Sequence, residues 1–224
     1  MKRVKIVLHP ITPYVISAPR SKERKVEFYF GINPERKFIP PSTLKGLLRT
    51  AAIYANLDDS CEYQTSLRLC GKDLRLHAGE SLTCADLQDL KEEDEGYSLL
   101  MDLIQRFKRP CKICRVFGNT KVRGKIRIVL PRELNVELDE LQNFYFSYTI
   151  GRTDKELKIE ASKSDIEFEV ICEDDEAYET IEEAVNIINQ GIVRIGRFKS
   201  RGFGILKAES ELLRPCGQSI PTSR

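Results

Sequence analysis

Three short segments concentrate side chains that can handle a polyanion or a metal. Residues 195–204 read Ile-Gly-Arg-Phe-Lys-Ser-Arg-Gly-Phe-Gly, with three cations, three glycines and two aromatics in ten residues. Glycines let main-chain amides approach phosphate oxygens, and arginine pairs with them through two hydrogen bonds at once. The spacing is not a P-loop, which places Gly-Lys-Ser/Thr before a helix, nor a dinucleotide-binding turn. An anion-binding loop explains the pattern better than a basic turn with no ligand.

The second segment is Ile39-Pro40-Pro41-Ser42-Thr43-Leu44-Lys45-Gly46-Leu47-Leu48-Arg49. Proline before a hydroxyl cap opens a helix, and Lys45 and Arg49, four apart, share one of its faces. Free N–H groups and the positive end of the helix dipole favour a phosphate there. Gly46 inside a helix costs about 1 kcal/mol relative to alanine, for which close approach of another backbone would be a motive. A capped amphipathic helix with two solvated cations fits the residues as well.

The third is Cys111-Lys112-Ile113-Cys114, followed by Arg115-Val116-Phe117-Gly118. A CxxC pair is half of a zinc site or the redox pair of a thioredoxin-like protein. The second needs a strand before and a helix after, and the Phe-Gly turn argues against it. Further zinc ligands would come from His77, Cys84, Cys70 and Cys61, where a metal would help to order an irregular stretch. Scattered buried thiols are the plain alternative. Other catalytic furniture is sparse. His9 ends a strand before a proline, which suits a structural role, and no Ser-His-Asp ordering or HExxH motif stands out.

Hydrophobic periodicity supplies the elements that must hold these segments. Strands are expected at 3–9, 125–130, 165–170 and 203–209, with an extended pair at 14–18 and 26–32. Helices are expected at 43–55, 97–108 and 175–190, the last closed by Gly191. Without the insertions at about 56–120 and 133–163, the order is strand, helix, strand, strand, helix, strand. That is the α+β, ferredoxin-like (RRM-like) βαββαβ unit, one domain over 1–214 with a flexible tail at 215–224.

Net charge is only +2, but it is unevenly spread. Residues 1–50 hold eleven Lys/Arg against three Glu, residues 101–132 ten against one acid, and residues 191–224 seven against two. Such blocks could converge on an anionic ligand, or could be ordinary surface mixing. The seven cysteines suit reduced thiols or a metal site rather than a disulfide framework. No apolar stretch approaches the roughly 20 residues of a spanning helix, and the charged start is no signal peptide, so a cytoplasmic location is expected.

Taken in order, the three segments resemble the RAMP superfamily of CRISPR-associated proteins, especially the small backbone subunits of type III (Csm/Cmr) effectors. The family's first helix carries a signature similar to IPGSSLKGxLR, here IPPSTLKGLLR at 39–49. Its CxxCRLFG-like segment is CKICRVFG at 111–118, and its GRxKSRGFG-like loop is GRFKSRGFG at 196–204. Ile150-Gly151-Arg152-Thr153-Asp154, with Ile159-Glu160 and Glu167-Phe168, is similar to the family's IDRxTG…E…F segment.

The resemblance implies a subunit that grips crRNA by its backbone, positions target RNA and assembles with other effector subunits, including copies of itself. Phosphate contacts would come from Ser42, Lys45, Arg49, Arg152, Gly196, Arg197, Lys199, Ser200, Arg201 and Gly202. Residues 133–163 would form a thumb-like hairpin, and zinc would sit at Cys111 and Cys114. Subunits that cut target RNA use an aspartate before the first helix, whereas the first Asp here is Asp58. Only Glu27 falls near the expected place, so the chain is expected to bind rather than cleave. Cleavage of target RNA or processing of crRNA by a RAMP endoribonuclease is the alternative.

Overall fold

A computed structural model of the chain describes residues 1–16, 25–26, 38–61, 110–119, 122–130, 142–150 and 153–213. The principal sheet is built from β1 (Lys2–Pro10), β3 (Ile126–Val129), β6 (Ile166–Cys172) and β7 (Leu206–Leu213), in the order β3-β6-β1-β7. Every neighbouring pair is antiparallel. Helix α1 (Pro41–Ala55) lies between β1 and β3 in the chain, and helix α3 (Asp175–Asn189) lies between β6 and β7. A short helix, α2 (Lys112–Phe117), precedes β3. The chain is thus α+β with an antiparallel sheet.

Strict alternation in β1 and β6 explains why one sheet face is covered. Val4, Ile6 and Leu8 of β1 and Ile166, Phe168 and Val170 of β6 are buried, and they meet Leu44, Leu48 and Ala51 of α1 and Ile181, Ala184 and Ile188 of α3. The same packing pushes the buried Cys172 thiol up to about 11, chiefly by desolvation. The opposite face is an ion-pair lattice instead. Arg3 meets Glu169, Lys5 meets Glu167 at 2.9 Å, and His9 meets Asp165 at 2.9 Å. His9 is therefore paired within the sheet surface, as a structural role requires.

A second sheet holds the hairpin of β4 (Gln142–Ile150) and β5 (Thr153–Ala161), with β2 (Lys25–Val26) parallel to β5. The expected pairing of 14–18 with 26–32 does not occur among the described residues. Tyr14 bridges Ser162, and Lys25 lies beside Lys158. Alternation marks a strand but not its partner, which hydrogen-bond register decides. Other boundaries move slightly. The first helix begins at Pro41, β6 runs on to Cys172, and β7 begins at Leu206 because Gly204 still lies in the preceding loop at φ +77°. Gly191, at φ +72°, donates to Ile188 O and closes α3 as expected. The helix expected at 97–108 lies outside the described residues. No helix among the described residues is long and apolar enough to cross a membrane.

The start of α3 is tied to its surroundings by charge. Asp174 caps the helix through Ala177 N–H at 2.9 Å, and Lys125 reaches both Asp174 at 2.6 Å and Glu176 at 2.8 Å. Hydrogen bonding from Arg115, and then from Lys125, holds the Glu176 carboxyl down at about 2, far below the usual carboxylate range. A depressed folded-state pKa gives stability that is present above the unfolded value near 4.5 and is lost as pH falls towards about 2. In acid titrations followed by circular dichroism, Glu176→Gln is expected to flatten the stability loss across that window. An unchanged slope would remove Glu176 from the acid response.

Candidate nucleic-acid interface and metal centre

The glycine-rich loop is held from outside by main-chain bonds. Arg197 N–H donates to Val15 O at 2.9 Å, Gly204 N–H to Pro13 O at 2.8 Å, and Ile195 N–H to Gly204 O at 2.9 Å. These close approaches require glycine. A Cβ on Gly196 would collide with the Val15 carbonyl and one on Gly204 with the Ile195 carbonyl, and both residues have positive φ. Between these anchors, Phe198 adopts a left-handed conformation at φ 60° and a 3₁₀ turn spans Lys199–Arg201.

That frame presents Arg197, Lys199, Ser200 and Arg201 to solvent. The Arg201 guanidinium lies over the Phe198 ring, 5.6 Å from its centroid. Lys199 is exposed, yet the loop crowding its ammonium lowers its pKa by desolvation. The amides of Lys199 and Ser200 have no acceptor among the described residues. Unbonded amides beside cations suit a phosphate.

The loop also joins the hairpin root. Phe203 meets Phe144 of β4 edge-on at 5.3 Å and Phe198 at 6.3 Å, in a small core with Val15, Ile159 and Ala161. Sequence reading did not foresee this coupling. Its only signal was the pair of phenylalanines inside a basic loop, because the partner strand is about fifty residues away.

On α1, Pro40 occupies the cap position without a side-chain hydrogen bond, and Ser42 is exposed in the first turn. The expected hydroxyl cap is therefore absent: Pro41 at the first helical position sets the start through its fixed φ. Nothing among the described residues lies within 4 Å of a Cβ on Gly46, so no described backbone of this chain makes the close approach suggested above. Lys45 is half-buried, and its pKa is lowered by desolvation and then by repulsion from Arg49. Arg49 donates to Gly118 O at 2.7 Å, fastening α1 to the turn after α2. Lys45 and Arg49 therefore share a face, but Arg49 also has a structural task. Arg152 and Glu27 lie outside the described residues.

The cysteine pair acquires a third member. Cys111 and Cys61 sulfurs are 3.6 Å apart, Cys61 and Cys114 sulfurs 3.8 Å, and all three residues are buried. Zn–S bonds of about 2.3 Å in a tetrahedron place thiolates about 3.8 Å apart, so this donor set fits zinc. Cys114 N–H points at Cys111 Sγ across 3.5 Å, as expected of a CxxC turn folded around a cation. Cys61 was one of four candidates in sequence. His77, Cys84 and Cys70 lie outside the described residues. Around the cluster, Lys112 reaches Glu183 at 2.9 Å and Asn56 at 2.8 Å, so α1, α2 and α3 are stapled together.

The ion-paired sheet face bears on recognition too. RRM-type RNA readers stack bases on strand aromatics. Here the outward positions of the two central strands are Arg3, Lys5, Val7 and His9, and Glu167, Glu169 and Ile171. No Phe, Tyr or Trp stands among them and the one ring, His9, is paired with Asp165, so the loop and α1 are the better anionic-ligand surfaces.

Similarity to known proteins bears on the fold. A chain in the cryo-electron microscopy structure of the type III-B Cmr-beta complex bound to cognate target RNA superposes with a TM-score of 0.55 at 12% identity. The match covers 95% of this chain and 61% of that one, so this chain spans about three fifths of its length. A chain of a type IV-B CRISPR complex superposes with a TM-score of 0.52 at 12% identity, covering 99% of this chain and 95% of that one. No curated protein sequence matches. The family model of the RAMP superfamily matches residues 7–207, a span that contains all three segments, and the chain belongs to that superfamily.

Proposed function

We propose that the chain is a crRNA-binding subunit of a type III-like CRISPR effector complex. It grips the guide backbone on a ferredoxin-like (RRM-like) core, positions target RNA and has no cleavage activity of its own. The observation that carries this reading is the glycine-rich loop: exposed cations held on a frame that tolerates no Cβ at Gly196 or Gly204. The strand order β3-β6-β1-β7, with a helix after the first and third of these strands in the chain, is that of a ferredoxin-like unit. We read 1–214 as one such domain with insertions at about 56–120 and 133–163, and the β4–β5 hairpin as its thumb. Its partners in this reading are crRNA, target RNA and other effector subunits; of the chains that share this fold, one comes from a complex bound to cognate target RNA and one from a type IV-B CRISPR complex.

Backbone-led binding makes sequence-tolerant, salt-dependent affinity the expected behaviour. The double variant Arg197→Ala/Arg201→Ala is expected to lower affinity for single-stranded RNA about tenfold or more. It should also reduce the slope of log K against log salt by about 1.4, since each lost phosphate contact removes about 0.7 on a single strand. Fluorescence anisotropy at several salt concentrations measures both. Wild-type binding with no salt slope would defeat the reading, and a defined cut in repeat RNA would favour the processing endoribonuclease instead.

Structural zinc at Cys61, Cys111 and Cys114 belongs to the same reading, with His77, Cys84 and Cys70 as the candidates for a fourth ligand. Its role would be to hold α2 and the chain after α1 together.

A further inference from the structure

A cleft of about 290 Å³ opens where β3 begins, away from the glycine-rich loop in sequence, and Lys45, Arg123, Gly124, Arg127, Ile171 and Glu173 line most of it. Three cations face one carboxylate there, and that carboxylate is already engaged: Arg123 holds Glu173 at 2.9 Å. Lys45 has no acidic partner among the described residues. Desolvation and the neighbouring Arg49 both disfavour its charge, which an incoming anion would restore. Arg127 is exposed on β3 and has no acidic partner among the described residues.

The cleft is not an enclosed cavity. It is open to solvent, and its volume is at the lower limit of the roughly 300–1,000 Å³ of enclosed small-molecule pockets. Glycine at position 124 lets the cleft wall pack against the turn after α2, since a Cβ there would strike the Phe117 carbonyl. The open space beside Gly46, one residue from Lys45, leaves that flank of α1 uncovered as well. Two of the three basic blocks of the sequence meet at this place: Lys45 comes from the first, and Arg123 and Arg127 from the second.

We propose that this cleft is a second phosphate-binding subsite, taking a backbone phosphodiester of the RNA strand that the glycine-rich loop holds. Arg127 and Lys45 receive the phosphate, and Arg123 exchanges part of its contact with Glu173 for it. The inference rests on the RNA-binding reading above but assigns Arg123 and Arg127, which the loop does not use.

The test compares two variants of the full chain, Arg123→Gln/Arg127→Gln and Arg197→Ala/Arg201→Ala, binding a labelled single-stranded RNA across a salt series. Both cleft arginines are exposed, so the folded state is expected to persist, and circular dichroism verifies this. The expected result is a fall in affinity of roughly five- to tenfold for the cleft variant, with a salt slope shallower by about 1.4. If only the loop variant weakens binding, the cleft proposal is overturned and the function stands. If neither variant changes binding, the RNA-binding reading itself fails. A short RNA spanning one subsite that loses affinity only with the loop variant, while a longer one loses with both, would place the two sites on one strand. Competition by inorganic phosphate equal to that by RNA would instead overturn the polynucleotide assignment in favour of a small-anion site.

Discussion

Gly204→Ala is expected to destabilise the protein by about 3 kcal/mol or more, lowering its melting temperature by roughly 10 °C. Two costs add at this residue. The left-handed φ of +77° carries about 1–2 kcal/mol for any residue with a Cβ. The Cβ would also meet the Ile195 carbonyl, in the segment whose N–H donates to Gly204 O. The carbonyl cannot retreat without breaking the contacts that seat the loop against Pro13 and Val15.

Gly202→Ala supplies the internal control. Its φ of +88° is equally unfavourable, but nothing lies within 4 Å of the added carbon, so a cost of about 1–2 kcal/mol is expected. Thermal melts of the two variants separate collision from backbone strain. Equal losses would mean that the close approach at Gly204 relaxes freely and that the loop frame is softer than its hydrogen bonds imply. RNA affinity should track the same order, because the amides and cations of the loop are positioned by that frame.

The second large effect concerns the thiol cluster. If Cys61, Cys111 and Cys114 hold zinc, purified protein should carry about one equivalent of metal per chain. Chelation or Cys61→Ser should then remove it, with loss of several kcal/mol of stability. Structural zinc contributes apparent binding energies of about 10–16 kcal/mol in small finger peptides, against total domain stabilities of about 5–15 kcal/mol. Even a fraction of that term matters where α1, α2 and α3 meet. Three buried thiols without a metal behave differently. Chelator would leave the melt unchanged, and Cys61→Ser would cost only the burial of one hydroxyl that keeps a sulfur neighbour. Cys172→Ser serves as the comparison, since that thiol is buried on β6 and stands apart from the cluster.

Local chemistry made much of this molecule legible from its residues. The alternation of Val4, Ile6 and Leu8, and of Ile166, Phe168 and Val170, marks two strands with one buried face. The spacing of Leu44, Leu47, Leu48 and Ala51 marks α1, and Gly191 marks the end of α3. The glycine-rich loop announced its chemistry because its cations and glycines are adjacent in the chain, so no folding was needed to bring them together. The CxxC pair was visible for the same reason.

What only the tertiary structure decided depends on contacts between distant residues, which no local period encodes. Four candidates could have completed the cysteine pair, and it is the turn after α1 that delivers Cys61 to it. Tyr14 bridges Ser162, nearly 150 residues away, because pairing follows register across the sheet and not proximity in sequence. Gly46 read as a site of backbone approach, and nothing among the described residues comes within 4 Å of a Cβ there. The Arg49 side chain looked committed to solvent or ligand, yet it holds the Gly118 carbonyl. The loop's carbonyl anchors at Pro13 and Val15 could not be read at all, since main-chain acceptors carry no side-chain signature. Whether the basic block holding Arg123 and Arg127 met an anionic ligand or was ordinary surface mixing stayed open in sequence, and it is the fold that lines one cleft with them and Lys45: whether scattered cations act together depends on distance, and distance is set by the fold.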